Sequence, residues 1–336
     1  MNYLVLKQRI YLVISGLTLI VLGSGYGSCT KFSDRLSDSA MVALDSFHHC
    51  QYMAFSRGIG AAGRRSEQFD YADQLSRHTT VEQLAEIANT DTSRIARLWA
   101  YRILLKKADK QVFDILKQAL KDTTHVELMS GCSRFEEPYN RTAISVYRYD
   151  SYELKLSNQL RFSLDSLIFF GYMKNKGFEN GLLMDFKPHK IYYATVIEEA
   201  DKGNYAILPL LAQYKNPNDR QRINKLLKAL LKEDGICSYE ACDAISNWND
   251  PAFEWYAKAA CQATIKQEYY DADEVLQLLC AYPAPWSYQI LKEMLTQKGD
   301  YSNSDTAKDY LTELYKTRPV PPIFKPLYDR YVARKK

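Results

Sequence analysis

The residues with the most reactive side chains are few, and their spacing does not match catalytic or metal-binding motifs. Five histidines are present, at positions 48, 49, 78, 125 and 189, and none belongs to an H-E-x-x-H motif. His48 and His49 precede Cys50, but neighbours on one helix point about 100° apart, which disfavours convergence on one ion. The sequence also lacks a G-x-S-x-G elbow, a P-loop and paired zinc-type cysteines. It therefore predicts no catalytic residues, no metal and no cofactor.

Two short patterns have a structural interpretation that we prefer to a functional one. Residues 58–63, Gly-Ile-Gly-Ala-Ala-Gly, match the G-x-G-x-x-G fingerprint of dinucleotide-binding proteins. That fingerprint follows a hydrophobic strand, whereas residues 46–51 read Ser-Phe-His-His-Cys-Gln, so we interpret the glycines as a turn. The acidic run at 271–274 is interpreted as the first turn of a helix, where negative charge complements the helix dipole.

Tyrosines are the side chains best suited to contact a ligand. The chain contains 26 of them, and tyrosine supplies a large contact area and a hydroxyl at a low cost in conformational entropy. Tyr147, Tyr149 and Tyr152 lie in residues 130–160, which we expect to form an irregular insertion with room for a short strand or hairpin. These three tyrosines are the candidate ligand-contact residues.

The first residues have the organisation of a secretory signal peptide. A basic segment precedes an apolar run at 10–22, whose 13 residues are too few for a membrane span of about 20. The small residues before Cys29 resemble the lipobox of bacterial lipoproteins, although Tyr26 departs from it. This resemblance implies removal of residues 1–28 and a lipid on Cys29. Plain secretion and an uncleaved N-terminal anchor are the alternatives.

Residues 30–34, Thr-Lys-Phe-Ser-Asp, bear on the cellular location. They lack the immediate aspartate that resembles an inner-membrane retention signal and the acidic run that resembles a surface-export signal. We therefore expect a lipid anchor in the outer membrane, a periplasm-facing chain, and a tether over residues 29–45. Within this tether, Asp38, Ser39 and Ala40 resemble an acceptor for O-glycosylation of Ser39.

The chain is organised around a repeat between positions 210 and 295. Pro217, Pro251 and Pro285 recur at equal intervals, with apolar pairs at constant offsets before and after each proline. The residues three positions before the prolines are all aromatic: Tyr214, Trp248 and Tyr282. Proline is tolerated at the first position of a helix, so each unit predicts a helix, an aromatic-closed turn and a second helix that begins at proline. A fixed period of this length predicts an all-α superhelix of stacked helical hairpins.

Residues 46–129 are also expected to form helical hairpins. Residues 79–82, Thr-Thr-Val-Glu, have the form of a capping box, and apolar residues follow at helical spacing. Two more apolar stripes occupy positions 95–103 and 112–120. Short polar turns separate these stripes, which places neighbouring helices antiparallel.

Four segments of this region resemble a family of HEAT-repeat lipoproteins from Gram-negative envelopes. They are residues 58–63, 66–69 (Ser-Glu-Gln-Phe), 95–101 (Ile-Ala-Arg-Leu-Trp-Ala-Tyr) and 121–123 (Lys-Asp-Thr). Arg97 stands one position away from the place that the HEAT pattern gives it. The resemblance covers about residues 55–132 and implies a HEAT-like solenoid. The interval between the repeat prolines also matches the length of tetratricopeptide repeats, but the Trp-x-x-Leu-Gly signature is missing.

These patterns divide the chain into six expected segments. They are a signal peptide (1–28), a tether (29–45), N-terminal HEAT-like repeats (46–129), an irregular insertion (130–160), C-terminal repeats (161–318) and a Pro-rich cap with a basic tail (319–336). Six cysteines follow Cys29, and Cys261 and Cys280 occupy repeat core positions, where we expect small buried hydrophobes. Cys237 and Cys242 form the pair best placed for a disulfide, whose presence the sequence leaves open.

The combined features favour a non-catalytic scaffold that binds another envelope protein and is tethered to the membrane through Cys29. Stacked hairpins build a long continuous surface that suits a protein partner. With 44 basic and 40 acidic residues, the formal net charge is only +4, which does not indicate binding to nucleic acid. The alternative is binding or processing of a glycan, through aromatic side chains and carboxylates.

Overall fold

The computed structural model describes residues 35–60, 62–150, 153–183, 186–233, 235, 237–267, 272–296 and 303–333. The expected signal peptide, Cys29, Tyr152 and the basic tail lie outside these ranges. Most of the described residues are helical. None of the described helices is long and apolar enough to span a membrane. The chain forms two compact units, with the boundary after Arg161.

The N-terminal unit contains six helices within its described residues. They are α1 (Asp38–His48), α2 (Gln68–His78), α3 (Val81–Thr90), α4 (Arg94–Lys106), α5 (Val112–Ala119) and α6 (Tyr139–Tyr149). The apolar stripes predicted from 81 to 119 are confirmed, because Leu84, Leu98 and Leu116 are fully buried. Helix α3 has a capping box, but it joins Thr80 to Gln83, one residue later than predicted. The Thr80 hydroxyl accepts from the Gln83 backbone N–H, and the Gln83 amide accepts from the Thr80 N–H.

The same unit also contains a four-stranded sheet, so the all-α prediction is wrong here. Its strands are β1 (Met53–Ile59), β2 (Arg64–Arg65), β3 (His125–Gly131) and β4 (Ser133–Pro138), in the order β2-β1-β3-β4. β1 and β3 are parallel, and the other two pairs are antiparallel. Val126 and Leu128 are buried on one face of β3 while His125 and Glu127 are exposed, as the two-residue period of a strand requires.

Gly60 and Gly63 lie in a turn between β1 and β2, as interpreted from the sequence, whereas Gly58 belongs to β1. Gly60 and Gly63 have φ values of 72° and 59°, in the left-handed region that favours glycine. The backbone N–H of Gly63 donates to the Gly60 carbonyl over 2.9 Å. A strand does precede these glycines, contrary to expectation, but the turn leads into an antiparallel strand and not into the helix N-terminus that would bind a pyrophosphate.

Two expected irregular segments are instead partly helical. Residues 130–160 contain the hairpin that the sequence allowed, because β4 pairs antiparallel with β3 from Ser133 onwards, and they also contain the 11-residue helix α6. The expected tether ends earlier, because α1 begins at Asp38 with Ser37 as its N-cap. Ala40, Ala43 and Phe47 of α1 are fully buried, which explains why this segment packs as a helix. Ser39 is therefore a partly buried residue of a first helical turn.

A buried ion pair lies at the centre of the N-terminal unit. The guanidinium of Arg102 on α4 donates two hydrogen bonds to the carboxylate of Asp150, both over 2.7 Å. Asp150 is the C-cap of α6, and the two side chains are 4% and 5% exposed. The same guanidinium donates to the Phe55 carbonyl of β1 over 3.3 Å and lies 5.0 Å from the ring of Trp99. One side chain thus links two helices and the sheet.

The C-terminal unit begins inside α7 (Asn158–Ser166), which continues as a π-helical segment (Leu167–Met173). The later helices are α8 (Lys174–Lys176), α9 (Asn180–Leu183), α10 (Lys190–Asp201), α11 (Leu208–Gln213), α12 (Arg220–Glu233), α13 (Tyr239–Asn247), α14 (Glu254–Thr264), α15 (Ala272–Ala281), α16 (Pro285–Thr296), α17 (Ser304–Thr317) and α18 (Lys325–Leu327). Successive pairs stack in two layers. Helices α11, α13, α15 and α17 pack on one another as a first-helix layer, and α10, α12, α14 and α16 form a second-helix layer.

The repeat prolines begin the second helix of each pair, as predicted. Pro217 and Pro251 begin single 3-10 turns that continue into α12 and α14, and Pro285 is the first residue of α16. The side chains of Asn216 and Asp250 cap these turns by accepting backbone N–H groups two residues later. The missing N–H of proline costs nothing at this position, and its fixed φ favours the first helical turn.

The repeat aromatics close the turns between helices. Trp248 and Tyr282 are 8% and 6% exposed, and Tyr214 is half-buried, so the predicted burial is confirmed. The Tyr282 hydroxyl donates to the Ile245 carbonyl of the preceding pair over 3.1 Å. The Tyr214 hydroxyl donates to the His189 carbonyl over 2.8 Å. All of the predicted apolar pairs are buried: Leu210 and Leu211, Ala244 and Ile245, Leu278 and Leu279, Leu226 and Leu227, Ala260 and Cys261, Met294 and Leu295.

Replacing Trp248 with Ala should lower the free energy of unfolding by about 3–5 kcal/mol, because the lost indole leaves a cavity against Phe253. Trp255→Ala is the matched control, since Trp255 is 37% exposed. It should cost about 1 kcal/mol or less. Denaturant unfolding followed by circular dichroism measures both. Equal losses for the two variants would contradict the structural role of Trp248.

Replacing Asp150 with Ala should cost about 3–5 kcal/mol, because the guanidinium of Arg102 stays buried without its counter-charge. Asp70→Ala removes the partner of Arg65 in an exposed ion pair and should cost about 1 kcal/mol or less. Comparison of the two unfolding curves provides the measurement. A small effect of Asp150→Ala would show that Arg102 does not link these elements energetically.

Candidate functional site

The structure does not assemble the three candidate tyrosines into a site. Tyr147 is fully buried, so it has no surface with which to contact a ligand, and that prediction is wrong for this residue. Tyr149 is 52% exposed, and its ring packs against Phe55 with 5.6 Å between ring centroids. Tyr152 lies outside the described residues. The two described tyrosines share helix α6 at an i, i+2 spacing, which points them to different faces.

Three thiols meet in the core of the C-terminal unit. Cys237, Cys242 and Cys261 are buried and unbridged, so Cys261 is confirmed as a buried core residue. Interaction with the neighbouring thiols of Cys242 and Cys261 lowers the pKa of Cys237. The same interaction, together with burial, raises the pKa values of Cys242 and Cys261, and the Cys261 thiol is directed to the Val275 carbonyl over 4.0 Å. Cys237 therefore neighbours Cys242, the partner expected from the sequence, and also Cys261 from the next helix.

A cavity with a largely polar lining lies on the first-helix layer of the C-terminal unit. We call this cavity of about 330 Å³ the amide groove. Its lining comes from α13, α15 and α17 and the segments that follow α13 and α17: Ser246, Asn247, Asn249, Gln277, Cys280, Ala281, Tyr310, Leu314, Tyr315, Arg318, Pro319 and Pro321. Because three consecutive first helices contribute, the groove runs across the helices and not along one of them.

The repeat places equivalent positions side by side in the amide groove. One repeat period separates Ser246 from Cys280 and Cys280 from Leu314, and the same holds for Asn247, Ala281 and Tyr315. These positions lie at the C-terminal end of each first helix. Side chains at the same register position of stacked helices point in the same direction, so the groove is a consequence of the repeat.

Polar side chains in the amide groove are held by specific bonds. The Gln277 amide donates to the Ser246 hydroxyl over 2.6 Å, joining α15 to α13. The Tyr315 hydroxyl lies 3.8 Å from the sulfur of Cys280, and burial raises the pKa of that thiol to about 11. Burial also raises the pKa of Tyr310 to about 12, so its hydroxyl is protonated at neutral pH and can donate a hydrogen bond.

The remaining groups of the amide groove face solvent. Asn247, Asn249 and Arg318 are exposed. The Asn247 amide nitrogen donates to the backbone carbonyl of Asp243 over 2.8 Å and to its carboxylate over 2.7 Å. Amide side chains donate and accept hydrogen bonds, while Arg318 carries a positive charge. The described residues of this lining include no carboxylate, so general acid–base chemistry by a carboxylate pair has no groups here.

A second polar cavity, of about 510 Å³, lies in the N-terminal unit. His48, His125, Glu127, Glu136 and Arg94 line it, and Glu127 and Glu136 are directly opposite each other in the β3–β4 pair. Two of its charged groups already have partners: the His48 imidazole contacts the Asp91 carboxylate over 2.9 Å, and Glu127 binds the guanidinium of Arg134. Within the described part of the chain, no group of three or more His, Cys, Asp or Glu side chains is arranged to hold a metal ion.

No family model, curated protein or solved structure matches the chain. The resemblance to HEAT-repeat lipoproteins therefore stays a prediction. Sequence reasoning missed the amide groove because Asn247, Gln277 and Arg318 belong to no motif. The repeat period itself was the available signal, since stepping by one period from Ser246 leads to Cys280 and then to Leu314.

Thiol labelling of the native protein should separate exposed from buried cysteines. Cys132 is exposed and should react with iodoacetamide, whereas Cys237, Cys242 and Cys261 should react only after unfolding, because burial excludes the reagent. Peptide mass mapping of labelled sites gives the measurement, and Cys132→Ser is the control for assignment. Rapid native labelling of Cys237 would contradict the buried placement.

Proposed function

We propose that the C-terminal unit is a non-catalytic protein-binding scaffold whose amide groove takes an extended peptide segment of a partner protein. One observation carries the proposal. Equivalent positions of three consecutive first helices line a single groove that contains amides, tyrosine hydroxyls and one arginine. Such a lining suits a ligand that presents polar groups at regular intervals along its length.

The size of the amide groove fits a short extended segment. Packed helices lie about 8–10 Å apart, so three of them span about 16–20 Å. An extended chain advances about 3.3 Å per residue, which gives room for about five or six residues. Each of those residues offers an N–H and a C=O that must be paired once water is displaced. Asn249 can pair both kinds of group, because an amide side chain donates and accepts. The amide nitrogens of Asn247 and Gln277 already bind Asp243 and Ser246, so their amide oxygens accept N–H groups.

The composition of the lining favours binding over glycan processing. Hydrolysis of a glycosidic bond ordinarily needs two carboxyl groups across the substrate, and the described lining holds none. Arg318 instead favours a segment with an acidic side chain or a C-terminal carboxylate, which a guanidinium binds with two parallel hydrogen bonds. A partner protein with an acidic extended tail is the ligand class that we propose.

We also propose that the stacked pairs continue as a HEAT-like solenoid and that the chain is anchored by a lipid on Cys29 in the outer membrane, facing the periplasm. The anchor proposal is supported by the sequence pattern around Cys29. Cys29→Ser should leave an unprocessed or soluble form, which membrane fractionation detects. A processed protein that stays in the membrane fraction would contradict lipidation.

Removing the amides of the groove should weaken peptide binding. The double variant Asn247→Ala, Gln277→Ala loses two sets of hydrogen bonds, each worth about 0.5–1.5 kcal/mol, so affinity for a selected peptide should fall about 5-fold or more. Peptides selected from a random display library on the wild-type protein provide the ligand, and calorimetry provides Kd. Gln289→Ala is the control, because Gln289 is an exposed amide on the second-helix layer.

Crosslinking in cells tests the same proposal by identifying the partner that binds the amide groove. A photo-crosslinking amino acid at Asn249 should capture a protein partner, whereas the same probe at Gln289 should not. Mapping the crosslinked peptide should show an extended acidic segment. Selection that yields no peptide binder, or crosslinks that are equal at both positions, would overturn the scaffold proposal.

A further inference from the structure

A second surface of the C-terminal unit combines an exposed aromatic ring with positive charge. Of the four tryptophans, Trp99 and Trp248 are buried and Trp286 is partly buried, while Trp255 is 37% exposed. Trp255 lies in the first turn of α14, on the second-helix layer. It borders a shallow groove of about 640 Å³, the Trp255 groove, whose other lining residues are Gln221, Asn224, Lys225, Lys228 and Ala252. The amide groove shares none of these residues.

The orientation of the Trp255 ring is fixed by a neighbouring helix. Its indole N–H donates to the side-chain oxygen of Asn224 on α12 over 2.6 Å. This bond satisfies the only polar group of the indole, so the exposed part of the side chain is aromatic face. An exposed aromatic face beside two helices is a platform on which the flat apolar side of a ligand can stack.

The lysines of the groove form no salt bridge among the described residues. Gln221, Lys225 and Lys228 occupy i, i+4 and i+7 positions of α12 and are all exposed. The Asp201 carboxylate interacts electrostatically with Lys225, but its direct hydrogen-bond partner is the guanidinium of Arg222, over 2.6 Å. Two ammonium groups within one lining attract an anion, and they disfavour a purely apolar ligand that would remove their water.

We propose that the Trp255 groove binds an anionic sugar unit. The C–H face of a pyranose ring stacks on the indole of Trp255. Lys225 and Lys228 pair with a carboxylate or phosphate on the sugar, and the Gln221 amide bonds to its hydroxyls. No standard amino-acid side chain carries both a stacking ring and an anionic group at neutral pH, so this combination of groups favours an acidic sugar over a peptide.

The site is independent of peptide binding. The amide groove belongs to the first-helix layer, whereas the Trp255 groove joins α12 and α14 of the second-helix layer. A protein that used both could hold a partner and a negatively charged glycan at the same time. Failure of either proposal leaves the other unaffected, because no residue serves both grooves.

Titration of the full-length protein with oligosaccharides, followed by tryptophan fluorescence and calorimetry, tests the proposal. The probes are a uronic-acid oligomer, a phosphorylated oligosaccharide and a neutral oligosaccharide of equal length. At least one acidic probe should change the fluorescence and bind at least 10-fold more tightly than the neutral one, with an affinity that falls as salt is added. The two acidic probes separate carboxylate from phosphate as the anion.

Variants assign the binding to the groove. Trp255→Ala should reduce affinity at least 10-fold, and Trp255→Phe should retain part of it, because a ring still offers a face for stacking. Lys225→Ala with Lys228→Ala should abolish the preference for acidic probes. The controls are Trp286→Phe and Lys292→Ala, which change a tryptophan and an exposed lysine of α16 outside this groove. They should bind as the wild type does.

Three outcomes would overturn the proposal. The first is that none of the probes binds. The second is that Trp255→Ala, shown to be folded by circular dichroism, binds the acidic probe as tightly as the wild type. The third is that the controls on α16 lose as much affinity as the groove variants, which would indicate attraction of a polyanion to the whole surface.

Discussion

The architecture of the C-terminal unit follows from one constraint, that a single helix pair cannot bury its own apolar face. Each pair exposes residues such as Leu226, Leu227 and Ile245 unless another pair covers them, and all three are at most 2% exposed here. Stacking at a fixed period buries the apolar face of each pair and also fixes the direction in which the side chains of each helix point. Residues that face outward at one register position face outward in every pair, so polar groups from separate helices line one groove. Binding surfaces on such a unit therefore arise from the same packing that stabilises it.

The N-terminal unit depends on a different interaction. Its helices and its sheet have no common period, and one of the contacts that join them is a buried ion pair: Arg102 binds Asp150 and the Phe55 carbonyl while lying against aromatic rings. A buried ion pair contributes less to the free energy of folding than its Coulomb attraction alone, because both ions lose their water. An unpaired ion in the same place destabilises the fold strongly. The pair therefore specifies which helix and which strand must meet.

The two proposed grooves differ in the chemistry of their linings, because they lie on different helix layers of the C-terminal unit. First helices end near one another, so Asn247, Gln277 and Tyr315, from three successive first helices, line the same groove. On the second-helix layer, α12 and α14 present neighbouring stripes, and Asn224 fixes the Trp255 ring between them. The first arrangement offers spaced hydrogen bonds that suit an extended chain. The second offers a face and charges that suit a ring with an anion.

Local chemistry explains what the sequence alone predicted. Pro217, Pro251 and Pro285 begin the second helix of each pair, and this signal lies within a single helical turn. The apolar stripes of α3, α4 and α5 and the buried repeat pairs are likewise periodic within one segment. A glycine turn at 58–63 follows from the conformational freedom of glycine. Such features need no knowledge of distant residues, and they are the ones that the sequence predicted correctly.

Tertiary structure decided everything that joins distant segments. β1 pairs with β3 although helices α2 to α5 lie between them in the sequence, and no local pattern in either strand indicates which other strand it pairs with. Tyrosine is a residue type typical of ligand contacts, but the side chain of Tyr147 on α6 is buried in the core. Arg102 and Asp150, far apart in the sequence, have no local pattern that predicts their pairing. Hydrophobic periodicity reports which face of a segment is buried, whereas which segment covers that face depends on the free energy of the whole packed chain.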